Sequence, residues 1–221
     1  MIISFASAKG GVGKSSVCGA MACELAKRGR NVLVFDLDPN KTLGKWGTRA
    51  PYPGVTVRTE NEKTFSDAFA EARGGGYDHI LIDMAGVLHS DMLGAIAWSN
   101  LVIIPTGNSL PDLEEAVQMA GRVKRLGRDV AFREIPFRVL LTRVFSLRTN
   151  AGEFIGDELE RLGMPLFKRG ITFRPKWQEF FINGKPPCDA QPEGAGAEIA
   201  AVADEAERVV TELLNTKRGA A

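Results

Sequence analysis

The sequence has few of the residues that metal and redox centres need. Its 221 residues include three cysteines and two histidines, and no two cysteines have CxxC spacing. This odd, scattered set argues against a disulfide framework, an iron–sulfur cluster and a zinc site. We expect Cys18 and Cys23 to be small apolar residues of a buried helix.

Long apolar runs and a strong net charge are also absent. No stretch approaches the roughly 20 apolar residues of a membrane span, and the opening residues MIISFAS lack the basic segment of a signal peptide. The formal net charge is +1, so any affinity for nucleic acid has to come from local patches. We therefore expect a soluble, cytoplasmic protein.

Short apolar runs alternate with helical patterns along the chain. Runs at 2–7, 31–36, 78–83, 101–105 and 137–142 are typical of parallel strands covered on both faces, with shorter candidates at 55–58 and 166–171. Helical patterns lie near 15–29, 64–73, 88–98, 111–127, 150–163 and 195–215. The alternation predicts an α/β fold, a doubly wound and mostly parallel β-sheet flanked by helices, in a single domain over 1–221. With a strand starting at residue 2, we expect no N-terminal helix-turn-helix domain.

A glycine-rich loop, SAKGGVGKSS over 7–16, follows the first predicted strand. Gly13, Lys14 and Ser15 match the end of the Walker A motif, in which backbone N–H groups and the next helix N-terminus cradle phosphates. Lys14 is predicted to reach the β- and γ-phosphates, and Ser15 to ligate Mg²⁺. The alternative is a glycine-rich turn that binds nothing.

Acidic residues end two of the predicted strands. Asp36 and Asp38 lie in VLVFDLDPN, residues 32–40, and Asp83 lies in YDHILIDMAG, residues 77–86. Open α/β sheets bind ligands at this carboxyl edge. The competing interpretation of Asp38 and Asp83 is that each caps the helix that follows it.

The loop resembles the deviant Walker A motif K-G-G-x-G-K-[ST] of the ParA/MinD ATPases, with Ala8 in place of the first glycine and Lys9 as the signature lysine. DLDPN resembles that family's D-x-D-P-Q, with Asn40 replacing glutamine. Segments 101–116, 137–144 and 167–187 resemble later parts of the family, so the likeness covers nearly the whole chain. It is greatest to short ParA proteins of the ParF kind and implies a P-loop NTPase fold.

The resemblance implies a role for each site residue. Lys9 would reach across a dimer interface to the partner's ATP, Asp38 would orient the attacking water, and Asp36 and Asp83 would lie around Mg²⁺ with Ser15. The implied catalytic residues are Lys9, Lys14 and Asp38. The implied nucleotide-binding residues are Lys9, Gly10, Gly11, Val12, Gly13, Lys14, Ser15, Ser16, Asp38, Thr142 and Arg143.

The resemblance also implies partners. It predicts a slow ATPase that forms a homodimer with ATP, binds DNA non-specifically on the nucleoid, and is stimulated by a cargo-bound adaptor of the ParB kind. DNA binding needs a positive patch, and basic residues cluster in 122–148 and 168–176. The candidate DNA contacts are Arg148, Lys168, Arg169, Arg174 and Lys176. The alternative is a solvated helix face.

Three other functions stay open. A MinD-like ATPase needs a basic membrane-binding helix, but the polar face of the last predicted helix is acidic, and anionic lipid repels it. A helper ATPase of conjugative DNA transfer would share the same site. An ATP-dependent metabolic enzyme would need a pocket for a second substrate. The sequence does not identify the cargo.

Overall fold

A parallel sheet forms the centre of the molecule. The computed structural model describes residues 1–86, 90–144, 150–189 and 194–219. The strands of this part of the chain are β1 (Ile2–Phe5), β2 (Val32–Asp36), β3 (Val55–Thr59), β4 (His79–Asp83), β5 (Leu101–Thr106) and β6 (Phe137–Leu141). They form a six-stranded sheet in the order β3-β2-β4-β1-β5-β6, with every neighbouring pair parallel. The predicted α/β class and parallel sheet are confirmed.

Helices connect the strands and cover both faces of the sheet. They are α1 (Lys14–Lys27), α2 (Thr42–Arg49), α3 (Glu62–Arg73), α4 (Ser90–Trp98), α5 (Leu110–Leu126), α6 (Asn150–Arg161), α7 (Pro175–Asn183) and α8 (Ala195–Gly219). A short π-helical turn, Gly127–Ala131, extends α5, and a 3₁₀ turn, Pro187–Asp189, follows α7. Within the described ranges, no helix combines the length and apolar character that crossing a membrane requires.

The strand expected at 166–171 is wrong. Leu166 makes only an isolated bridge to Val139, and the segment does not continue as a strand. The N–H of Lys168 donates to Glu205 Oε2 of α8 at 2.9 Å instead of to a neighbouring strand. The N–H of Phe167 still donates to the Val139 carbonyl and that of Ile171 to the Leu141 carbonyl of β6, and both side chains are buried in the core. The apolar run therefore packs beside β6 with scattered backbone bonds and does not form a continuous strand.

Two apolar cores, one on each face, explain why the strands lack polar alternation. Successive side chains of a strand point to opposite faces. On β2, Val32 and Val34 join the core with α1 and α8, whereas Leu33 and Phe35 join the core with α3 and α5. Both faces of β2 and β4 are therefore buried along their full length, as expected of parallel strands under helices.

Strand register brings the predicted acidic residues together. Asp36, which ends β2, is the register partner of Asp83, which ends β4, and Phe5 on β1 is the partner of Asp83 on the other side. The glycine-rich loop follows β1 directly. The loop and both carboxylates therefore meet at the carboxyl edge of the sheet.

Candidate nucleotide-binding site

The glycine-rich loop lines an open cleft of about 440 Å³. Gly11 and Gly13 have φ of 77° and 86°, in the left-handed region that glycine adopts without strain. Gly13 is the N-cap of α1 and supplies no side-chain cap, and the first turn of α1 has no acidic residue. The backbone N–H groups of this first turn and the positive end of the α1 dipole are thus available to an anion in the cleft.

Lys14 lies beneath the loop among the carboxylates. It is 8% exposed, and its Nζ lies 3.7 Å from Asp38 Oδ2 and 3.9 Å from Asp83 Oδ1. Both distances are longer than a charge-assisted hydrogen bond. The ammonium group is therefore held near two anions without being tightly bound to either, and it lies beside the space that phosphates would fill.

Asp83 is fully buried, and neither of its carboxylate oxygens makes a well-formed hydrogen bond within the described part of the chain. Burial raises its pKa to about 7, although Lys14 and the Ser15 hydroxyl oppose the rise. A buried carboxylate with unused lone pairs beside a serine hydroxyl suits Mg²⁺. This ion usually takes one or two protein oxygens together with waters and substrate phosphates. The residues present therefore fit the ion.

Asp36 supports the loop that follows β2. Its Oδ1 accepts the N–H of Asp38 at 3.1 Å and its Oδ2 accepts the N–H of Gly44 at 2.8 Å. Burial raises its pKa, and these backbone donors oppose the rise. The carboxylate therefore ties the loop and the first turn of α2 to the strand end. A position in the Mg²⁺ shell stays a prediction for Asp36.

Asp38 faces the cleft and does not cap α2. Its Oδ1 accepts the N–H of Asn40 at 2.9 Å, which closes a local turn, while its Oδ2 faces Lys14. The N-cap of α2 is Lys41, which makes no side-chain cap. The helix-cap interpretation of Asp38 is thus wrong, and its carboxylate is free to act in the cleft.

Lys9 occupies a different place from Lys14. Its side chain is 38% exposed at the edge of the loop, and its Nζ forms an ion pair with Asp112 Oδ1 in the first turn of α5. Although burial acts in the opposite direction, hydrogen bonds from Lys9 and Ser109 hold the pKa of Asp112 below its usual value. Lys14 thus lies inside the cleft, and Lys9 lies at its rim.

Thr142, predicted to be at the nucleotide, anchors the loop from β6. Its buried hydroxyl lies 2.7 Å from the Val12 carbonyl and 2.9 Å from the Thr106 carbonyl. Arg143, with φ of 57°, places a guanidinium nitrogen 3.6 Å from the position that a Cβ on Gly11 would occupy. Both residues therefore lie against the loop, and their contact with a nucleotide stays a prediction.

Some residues of this cleft were absent from the predicted set. Phe173, Trp177 and Phe181 also line the cleft, and Asp112 pairs with Lys9 at its rim. Asp112 is the aspartate of the 101–116 segment that resembles the family, so the sequence did point to this position. Nothing in the sequence pattern indicated that the aromatic residues face a cleft.

Two of the four predicted DNA contacts that the structure describes are engaged in ion pairs. Lys168 and Arg169 are exposed. Arg174 is 3.3 Å from Glu198 Oε1, and Lys176 is 3.6 Å from Glu179 Oε2. Arg148 lies outside the described residues. The contacts of all five residues with DNA stay predictions.

Comparison with known proteins assigns the family. Residues 1–180 match the family model described as VirC1 protein. This chain belongs to the VirC1 family. VirC1 of Rhizobium radiobacter is 32% identical over 122 residues, which are 52% of this chain and 53% of that protein. The match thus spans about half the length of that VirC1 relative.

The VirC1-family chain is also homologous to ParA, and it has the P-loop NTPase fold of the ParA/MinD proteins. Protein ParA of Rhizobium radiobacter is 30% identical over 186 residues, 83% of each chain. The structure of MinD complexed with Mg-ADP from Pyrococcus horikoshii matches with a TM-score of 0.72 and 21% identity, over 94% of this chain and 96% of that chain. This likeness shows the fold. The resemblance to the ParA/MinD family is confirmed.

Proposed function

We propose that this chain is an ATPase that works as a dimerisation switch: it dimerises with ATP, binds DNA without sequence preference, and positions or segregates a cargo. A cargo-bound stimulator of the ParB kind speeds slow hydrolysis and so releases the dimer. The names of two relatives support the proposal: Protein ParA and maintenance of carboxysome distribution protein A.

The observation that carries the proposal is the separation of the two loop lysines. Lys14 is buried beside Asp38 and Asp83, where a chain's own nucleotide would contact it. Lys9 is at the exposed rim, where it forms an ion pair with Asp112. A lysine in that position can leave Asp112 and bind a phosphate on a second copy, which supplies binding energy only while that phosphate is present.

Within one subunit, the cleft positions the phosphates for hydrolysis. The loop N–H groups and Lys14 bind the phosphates, and Asp38 orients water for attack. Phosphoryl transfer depends mainly on positioning and charge stabilisation, so Asp38 need not be a strong base. Ser15 and Asp83 would hold Mg²⁺, which neutralises phosphate charge when bound.

The decisive experiment compares Lys9→Ala with Asp112→Asn. Both changes abolish the ion pair at the rim, but Asp112→Asn keeps Lys9 and an oxygen acceptor for the α5 cap. We expect Lys9→Ala to bind ATP normally and to lose ATP-dependent dimerisation in light scattering, with ATP turnover lost as well. Asp112→Asn should still dimerise. If Lys9→Ala dimerises like the wild type, or if both variants fail alike, Lys9 has no role across the dimer.

A second experiment tests Asp38. Asp38→Ala should bind ATP and form a dimer that stays on DNA, because turnover stops after nucleotide binding. Turnover is measured with DNA and partner present. Wild-type turnover in this variant would remove Asp38 from the reaction. Lys14→Ala serves as the control, since it should abolish nucleotide binding itself.

A further inference from the structure

One face of α2 is cationic and carries no apolar residue. Lys41, Lys45 and Arg49 recur at i, i+4 and i+8, which places them in one row about 5–6 Å apart. All three are exposed, as is Thr48, and residues 41–49 include no acid. The opposite face, with Leu43 and Trp46, is buried.

Two glycines hold α2 in this orientation. A Cβ on Gly44 would lie 2.2 Å from Thr59 Oγ1, and a Cβ on Gly47 would lie 2.8 Å from Val57 Cγ2. Such distances exclude any larger side chain without movement of the strand. The helix therefore lies directly on the edge strand β3, and Lys41, Lys45 and Arg49 face away from the sheet.

The charge of this row is not neutralised within the described chain. No ion pair or hydrogen bond involves the ammonium group of Lys41 or Lys45 in that part of the protein. Gly184 packs against Ala50 at the end of α2, so the exposed Lys185 lies near that end. Arg49 is partly engaged, since its guanidinium donates to the Phe181 carbonyl.

In the basic segment at 168–176, Arg174 and Lys176 are ion-paired with glutamates, whereas the side chains of Lys168 and Arg169 are exposed. Carboxylates of α8 lie directly beneath it: Glu205 accepts the N–H of Lys168 at 2.9 Å, and Glu198 accepts the N–H of Thr172 at 3.1 Å and pairs with Arg174. Nearby anions reduce the positive potential that attracts phosphates. The row of Lys41, Lys45 and Arg49 on α2 is therefore the better site for a polyanion.

We infer that the α2 row, defined as Lys41, Lys45 and Arg49, binds the phosphate backbone of DNA; this inference rests on the proposed function. An interface with a protein usually buries aromatic or aliphatic anchors at its centre, and the α2 row has none. A row of flexible cations without apolar side chains instead suits sequence-independent binding of phosphates.

The same helix is joined to the nucleotide site. The N–H of Gly44 in its first turn donates to Asp36, and Asp36 also holds the N–H of Asp38, the carboxylate that faces Lys14. A rearrangement of the Asp36–Asp38 loop around ATP would thus move α2. DNA binding by the α2 row would then depend on the bound nucleotide through a direct hydrogen-bonded connection.

The test measures binding of a fluorescent DNA duplex of arbitrary sequence by anisotropy, with ATP and Mg²⁺, over a series of salt concentrations. The variant is Lys41→Asn with Lys45→Gln; asparagine suits the left-handed backbone at 41, where φ is 51°. The matched control is Lys168→Gln with Arg169→Gln. Arg49 is left intact because of its bond to Phe181.

We expect the α2 variant to lose about tenfold or more in affinity, and its slope of log affinity against log salt to fall by about 0.9 for each phosphate contact removed. Dimerisation with ATP should be unchanged, and the control should lose less affinity than the α2 variant. Unchanged affinity and slope in the α2 variant, or the main loss in the control, would overturn the inference alone. A wild-type dimer that binds no DNA, or binds only an acidic polypeptide, would instead overturn the DNA part of the proposed function.

Discussion

Removing the Thr142 hydroxyl should loosen the glycine-rich loop without changing the shape of the core. The hydroxyl lies 2.7 Å from the Val12 carbonyl and 2.9 Å from the Thr106 carbonyl, and Thr142 is 2% exposed. The Thr106 carbonyl also accepts the backbone N–H of Thr142 at 2.8 Å. The Val12 carbonyl is therefore the acceptor that depends on the hydroxyl.

Thr142→Val keeps a branched side chain of similar shape and leaves the Val12 carbonyl without this donor. An unsatisfied buried polar group costs about 1–3 kcal/mol. For a domain of this size, each kcal/mol lowers the thermal midpoint by about 2–4 °C. We thus expect the midpoint to fall by several degrees. Because Val12 lies within the loop, the affinity for a fluorescent ATP analogue should fall too.

Calorimetry and nucleotide titration measure the two effects, with Thr142→Ser as the matched control that keeps the hydroxyl. The serine variant should bind nucleotide like the wild type and lose only the contacts of one methyl group. An unchanged midpoint and affinity in Thr142→Val would refute the argument that this hydroxyl holds the loop. Equal nucleotide affinity losses in both variants would also refute it, because Thr142→Ser keeps the hydroxyl.

Two further predictions concern the backbone and pH. Gly13→Ala forces a left-handed backbone at φ 86° and should cost about 1–2 kcal/mol in urea unfolding and abolish ATP binding, whereas Gly10→Ala, where a Cβ meets open space, should change stability little. Burial and the charged N-terminus lower the pKa of His79, although Glu207 opposes this. The folded chain thus binds a proton on His79 less readily than the unfolded chain does. The unfolding free energy should therefore fall as pH drops below the ordinary histidine value near 6.5. His79→Asn should make the unfolding free energy less dependent on pH between 7 and 5; an unchanged dependence would contradict this.

The positions of the loop and the carboxylates were predictable because local patterns determine them. An apolar run that ends in an acid places that acid at the carboxyl edge of a parallel sheet, and the register partnership of Asp36 with Asp83 follows from this arrangement. The loop motif likewise needs only a strand before it and a helix after it. In both cases the functional residues are adjacent in sequence to the strand or helix that positions them.

The missed features depend on contacts between distant segments. TLGKWGTR has two glycines, which are poor helix formers, yet it forms α2 because Gly44 and Gly47 fit closely against β3. The run at 166–171 is apolar because Phe167 and Ile171 pack in the core, where the pattern cannot distinguish packing from pairing. The Lys9–Asp112 pair joins residues far apart in the sequence, and spacing does not indicate it.

The geometry of that pair makes it suitable for a switch. Lys9 is 38% exposed and Asp112 13% exposed, and exposed ion pairs contribute only about 0.2–1 kcal/mol. In a closed dimer interface the partner's phosphate would be shielded from water, where a hydrogen bond to a charged group contributes about 1.5–3 kcal/mol. In the proposed dimer, Lys9 would therefore gain by exchanging Asp112 for a phosphate of the partner's nucleotide. Once that phosphate leaves, the nearby carboxylate is again the better partner for Lys9. A buried ion pair would resist the exchange, and an unpaired lysine would lack an alternative to the phosphate, so a weak pair at the rim suits reversible dimerisation.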